Sequence, residues 1–104
     1  MNKIISISDY FKAIKNPNVV IYIQKQNEVS NLIVQLEELA VDYTSLNVYF
    51  TSIDIEDFVY LNIPCLRPEN IPCFMFFKDG FEICTTKGTN INIIEKMIQN
   101  YFLS

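Results

Sequence analysis

At 104 residues, half of them apolar and 19% charged, the chain fits one domain, 1–104, with a self-supporting core and no room for a second, and its composition excludes a disordered tail. A net charge of −4 with lysines scattered singly lacks the clustered basic face that phosphate-backbone binding needs, so no nucleic-acid partner is expected. With no histidine and only two glycines, Gly80 and Gly88, the commonest general base and zinc ligand are missing and no phosphate-cradling loop is formed, so neither a metal nor a cofactor is expected.

Ile4 to Ser6 predicts a short opening strand, followed by a helix capped by Ser8 and running through Phe11 and Ile14. Asn18 to Gln24 is a β-branched, nearly continuous apolar run, the pattern of a central strand covered on both faces by helices. From Val29 to Tyr43 apolar residues fall at Leu32, Leu36, Leu39 and Tyr43, with Ile33 and Ala40 beside them, while Gln35, Glu37, Glu38 and Asp42 take the opposite side. That spacing predicts one amphipathic helix of about four turns, its acidic side solvated. Asn47 to Ile55 returns to a period of two, with Val48, Phe50, Ser52 and Asp54 on one side and Tyr49, Thr51, Ile53 and Ile55 on the other: a second central strand. Residues 73–78 and 81–85 flank Asp79-Gly80, the dipeptide that suits both φ > 0 positions of a type I′ hairpin turn, so these two strands are antiparallel. After Gly88, Asn90 caps a last helix in which Ile91, Ile94, Met97, Ile98 and Tyr101 repeat at helical spacing. The predicted order is βαβαββα, an α/β fold with a central mixed sheet flanked by helices. Val20, Ile21, Ile23, Phe50, Ile53, Phe74 and Phe76 are expected between the helices, with Leu32, Leu36 and Leu39 packed on them.

The stretch Asn62-Ile63-Pro64-Cys65-Leu66-Arg67-Pro68-Glu69-Asn70-Ile71-Pro72-Cys73 runs straight into Phe74-Met75-Phe76-Phe77. A βαβ half joined to a ββα half through a proline-led strand is the thioredoxin order, and from Pro72 to Gly88 the spacing of Pro, Phe-Phe-Lys, Gly and the second Gly resembles thioredoxin without a gap. The resemblance implies a thioredoxin-like fold with a cis Ile71–Pro72 peptide before the third central strand. Pro64 and Pro68 are expected trans in a loop without helix, since prolines every four residues remove the donors a helix needs. Thioredoxins place Trp-Cys-Gly-Pro-Cys between the first central strand and the long helix. Here that segment is Gln24-Lys25-Gln26-Asn27-Glu28-Val29-Ser30-Asn31, with no cysteine, and the buried aspartate of thioredoxins falls at Tyr22. Nucleophile, resolving thiol and proton shuttle are missing from their positions.

Within that fold, Ile5-Ser6-Ile7-Ser8-Asp9-Tyr10, the strand leading into Lys25-Gln26, Leu36-x-x-Leu39-Ala40, and Ile63-Pro64 with Asn70-Ile71-Pro72 resemble the thioredoxin-fold domain of phosducin-like proteins over nearly the whole chain. The two-proline loop is the most specific piece, because ordinary thioredoxins carry a short helix there and only the second proline. The connection before the long helix is about two residues shorter than in that family, Cys73 stands where a threonine is usual, and the family's helical N-terminal extension has no counterpart.

The three cysteines, Cys65, Cys73 and Cys84, are odd in number, match no zinc spacing and are expected reduced. With Asp79-Gly80 as the turn, Met75 opposes Cys84 and Cys73 lies diagonal to it at roughly 7–8 Å, too far for easy bridging. Cys73 inside Phe-Met-Phe-Phe reads as a small core residue, against the alternative of a lone thiol facing the site. Cys65 is the accessible thiol, with Arg67 the one neighbour able to lower its pKa.

The resemblance implies a non-catalytic, redox-inactive binding module, a phosducin-like co-chaperone in cytosolic protein folding that works with the cytosolic chaperonin and its clients or contacts a G-protein β subunit. The competing readings are a thioredoxin-type redox protein using a single cysteine, and the small spliceosomal thioredoxin-like protein, which shares Pro-Cys before a Met-Phe-Phe strand but is longer and lacks Ile63-Pro64. The expected partner groove is the sheet edge before Pro72, walled by Gln26, Asn27, Glu28, Leu66, Ile71, Pro72 and Cys73, with Leu66 either its apolar anchor or folded under the loop as core. A cytoplasmic monomer is expected, since the polar start Met1-Asn2-Lys3 is no signal peptide and no apolar run approaches the roughly 20 residues that span a bilayer.

Overall fold

The run Val19-Val20-Ile21-Tyr22-Ile23 is apolar at every position, and a strand with two apolar faces has to be covered on both. In the structure, a computed structural model that describes residues 2–24, 32–54, 72–88 and 90–102, this run forms β2 (Asn18–Gln24), the centre of a five-stranded sheet. Beside it lie β3 (Val48–Asp54) and β4 (Cys73–Lys78), with β1 (Asn2–Lys3) and β5 (Phe81–Lys87) at the edges, in the order β1-β3-β2-β4-β5. β1, β3 and β2 are parallel, whereas β4 and β5 are each antiparallel to the strand before them in the sheet. The sheet is therefore mixed. Among the described residues the order is βαβαβββα; its five strands correspond to the five read from the sequence, one more than the order βαβαββα counts.

The period of two divides the core between the faces. On one face Ile21, Ile23, Met75 and Phe77 pack with Tyr10 and Ala13 of α1 (Ile7–Ile14). On the other, Val20, Tyr22, Phe50, Phe74 and Phe76 meet Leu36 and Leu39 of α2 (Leu32–Asp42) and Ile94, Ile98 and Phe102 of α3 (Ile91–Phe102). All seven sheet residues expected in the core are buried, as are Leu36 and Leu39. The side chain of Leu32, residues 29–31, the loop with Pro64 and Pro68, and the Ile71–Pro72 peptide expected to be cis lie outside the described residues.

Four details differ from the sequence pattern, each for a local reason. The opening strand is Asn2–Lys3 rather than residues 4–6; the Ile4 amide still donates to the Ser52 carbonyl at 2.8 Å, after which the chain leaves the sheet. The cap of α1 is Ser6, not Ser8. Ser6 is extended (φ −150°, ψ 161°) and its Oγ accepts the Asp9 amide at 3.1 Å, while the Asp9 carboxylate accepts the Ile5 amide at 3.2 Å, so two orphan donors are satisfied at once. At the end of α3 it is Phe102 that is buried, its ring 6.2 Å from that of Phe76, while Tyr101 faces out. The hairpin turn has φ of 53° at Asp79 and 88° at Gly80, as type I′ requires. Beyond it, a bulge between Phe76 and Phe77 slips the register by one, so Phe76 rather than Met75 opposes Cys84.

Candidate functional site

In a sheet with parallel strands, binding sites form where the carboxyl ends of those strands come together. β2 ends at Gln24 and β3 at Asp54, paired in register, and β4 begins beside them with Cys73 opposite Ile23. A polar row joins these ends. Gln24 Nε2 donates to Asp54 Oδ1 at 2.6 Å, and Lys3 Nζ on the edge strand reaches Asp54 Oδ2 at 3.1 Å. Gln24 is buried at 8% exposure, so its bond to Asp54 satisfies an amide that water reaches poorly. Lys3 is exposed, and its ion pair is worth little by comparison.

Pro72 is half-buried, and its carbonyl accepts the Gly88 amide at 2.9 Å, which ties the entry of β4 to the exit of β5. Cys73 does not present a thiol to a groove. It is 3% exposed, in the α1-side core with Ile23 and Met75. Burial first, and then the Glu82 carboxylate, push its thiol up to about 11, so it stays protonated at neutral pH. Period two turns Cys73 inward, and its contribution to a groove wall is confined to backbone. Cys84, raised in the same direction by burial and then Glu82, packs on the opposite face of the sheet. Both thiols are free, and the bulge together with the facing rules out the diagonal placement of Cys73 and Cys84.

Tyr22, the position that the resemblance assigns to the thioredoxins' aspartate, is 1% exposed and stacked on Phe74 with ring centroids 4.8 Å apart. That position carries no carboxylate to move a proton. Gln26, Asn27, Glu28, Leu66 and Ile71, expected to wall the groove, fall outside the described residues, as does Cys65. The row Lys3, Asp54 and Gln24 went unassigned in the sequence because its members are up to 51 residues apart. The available signal was a polar residue closing each apolar parallel strand.

No family model and no curated protein matches the sequence. Solved structures do match over almost the full length. The oxidised thioredoxin of Plasmodium falciparum superposes with a TM-score of 0.79 at 20% identity, covering 98% of this chain and 98% of that one. The germline-specific thioredoxin Deadhead of Drosophila melanogaster gives 0.78 at 18% identity, covering 97% and 99%. Mitochondrial thioredoxin 3 of Saccharomyces cerevisiae gives 0.77 at 21%, covering 96% and 94%. The fold is thioredoxin-like.

Against that fold, the row Gln24–Asp54–Lys3 lies at the carboxyl ends of the parallel strands, next to the start of β4 behind Pro72. No helix among the described residues is long and apolar enough to cross a membrane.

Proposed function

We propose that this thioredoxin-like chain is a non-catalytic protein-binding module, a co-chaperone of the phosducin-like kind acting in cytosolic protein folding. What carries the reading is the set of residues in the fold's reactive positions. The segment before the long helix holds no cysteine, the carboxylate position holds Tyr22 stacked on Phe74, and the thiol that follows Pro72 is buried and held protonated. Dithiol exchange needs an accessible thiolate and a second thiol to resolve the mixed disulfide.

Freed of that chemistry, the region beside Pro72 would, by resemblance, receive an extended segment of a partner as an added strand. Gln26, Asn27, Glu28, Leu66 and Ile71 would wall it, with backbone from Pro72 and Cys73. By resemblance the partner is the cytosolic chaperonin with its clients, or a G-protein β subunit.

An insulin-reduction assay with thioredoxin reductase tests the catalytic half: no turnover is expected. A measurable activity that Cys65→Ser abolishes would overturn the reading in favour of a single-cysteine redox protein. Chemical-shift mapping with purified chaperonin or a β-propeller partner tests the binding half. Perturbations at residues 26–30 and 66–73 are expected, and perturbations confined to α3 refute the site.

A further inference from the structure

Away from that site, α1 and the β4–β5 hairpin leave an apolar groove of about 250 Å³, lined by Phe11, Ile14, Phe77 and Phe81. Its walls are aromatic and open to water. Phe81 is 76% exposed and Phe11 52%, with Ile7 also exposed one turn before Phe11. Tyr10 forms the floor, its ring 5.5 Å from Phe11 and 6.1 Å from Phe77. Single exposed apolar residues are ordinary, but a contiguous patch of this kind on a small domain marks a contact surface.

The charges around the groove say what covers it. Helical spacing sets the exposed Lys15 on the same side of α1 as Phe11, and so on the helix rim. Asp79 in the turn and Glu82 on β5 are exposed on the hairpin rim. Of the hairpin's two lysines, Lys78 is turned away, its ammonium donating to the Tyr101 carbonyl at 3.1 Å, and Lys87 stands at the far end of β5, five residues beyond Glu82. Beside the groove itself the helix rim is therefore basic and the hairpin rim acidic. A uniformly charged partner meets repulsion on one side, whereas a second copy turned by a two-fold axis along the groove sets Lys15 against Glu82 and Asp79 twice over, with Phe11 and Phe81 interleaved between them. Pairing of the β5 edges themselves is opposed by the bulge beside Phe77, which breaks the even ladder that strand addition needs.

We propose that this face is the contact surface of a reversible, two-fold symmetric dimer of the chain, monomeric when dilute. Sedimentation equilibrium from about 10 μM to about 1 mM reads it out, in the range where a small interface associates. The average mass is expected to rise from the monomer's 12.1 kDa toward twice that value. Phe81→Ser and Phe11→Ser, both at exposed positions, are each expected to weaken association by about tenfold or more while leaving the circular dichroism unchanged. Lys15→Glu and Glu82→Lys are each expected to weaken it as well, and the double variant K15E/E82K to restore it to within about threefold of the parent. A monomer throughout the range, an association that both Phe variants leave unchanged, or a double variant no better than its singles overturns the proposal.

Discussion

Tyr22 and Phe74 face each other directly across the β2–β4 ladder and stack with ring planes 17° apart and centroids 4.8 Å apart. Both rings lie in the core between the sheet, α2 and α3. At this point the centre of the sheet is given over to aromatic packing.

Phe74→Ala therefore removes a fully buried ring and the face of its partner. A loss of about 3–5 kcal/mol in urea melts is expected, at the upper end if Tyr22 does not collapse into the space. A loss below about 1 kcal/mol would contradict the burial of Phe74.

Asp54 and Lys3 share an ion pair, but their removal is expected to differ in effect. Asp54→Ala strands the buried Gln24 amide and should cost about 1–3 kcal/mol. Lys3→Ala loses only an exposed pair and should cost no more than about 1 kcal/mol. Thermal melts of the two variants against the parent check the order, and an equal loss would mean that the Gln24–Asp54 bond of 2.6 Å does not persist in solution.

The buried thiol of Cys73 sets a pH dependence. Its folded value is raised from an ordinary 9.0 to about 11, so the unfolded chain ionises first as pH rises. The stability contribution is present below about pH 9 and is lost between there and about pH 11, at most about 3 kcal/mol in all. Cys73→Ala should flatten this alkaline slope in denaturant melts between pH 8 and 11. In the folded parent, Cys73 should also resist thiol reagents at pH 7.5 on the time scale on which the unfolded chain is labelled.

Gly80 has a φ of +88°, and a methyl built on it would meet only the Ile14 carbonyl at 3.9 Å, an ordinary contact. Gly80→Ala is thus penalised by backbone conformation alone, by about 1–2 kcal/mol. Asp79→Asn keeps a residue tolerant of positive φ and should leave the melting temperature nearly unchanged. If Gly80→Ala is neutral, the turn is not type I′.

Periodicity made most of the fold legible. The unbroken apolar run of residues 18–24, the alternation of 48–54, the Asp79-Gly80 turn and the helical repeat of Ile91, Ile94 and Ile98 each specify an element, because each period has a single face or pair of faces to bury. Proline and aromatic spacing from Pro72 to Gly88 then indicated which arrangement of those elements to expect. The choice between Ser6 and Ser8 as a cap was not legible, since both residue types cap helices and only the point at which Ile4 leaves the sheet decides between them.

By itself, then, the sequence determined the class of fold, the sheet residues of its core with Leu36 and Leu39, and the absence of a Cys-x-x-Cys. Tertiary structure decided the rest. The bulge in β5 sends Cys84 to the face opposite Cys73, a one-residue slip that local propensity does not record because it depends on how the hairpin twists against the sheet. Parallel register brings Lys3, Gln24 and Asp54 together from three separate strands. The packing of α1 beside the hairpin sets Phe11 next to Phe81, seventy residues on in the chain. Contacts between residues so far apart depend on how the elements are placed against one another, and no local pattern encodes that placement.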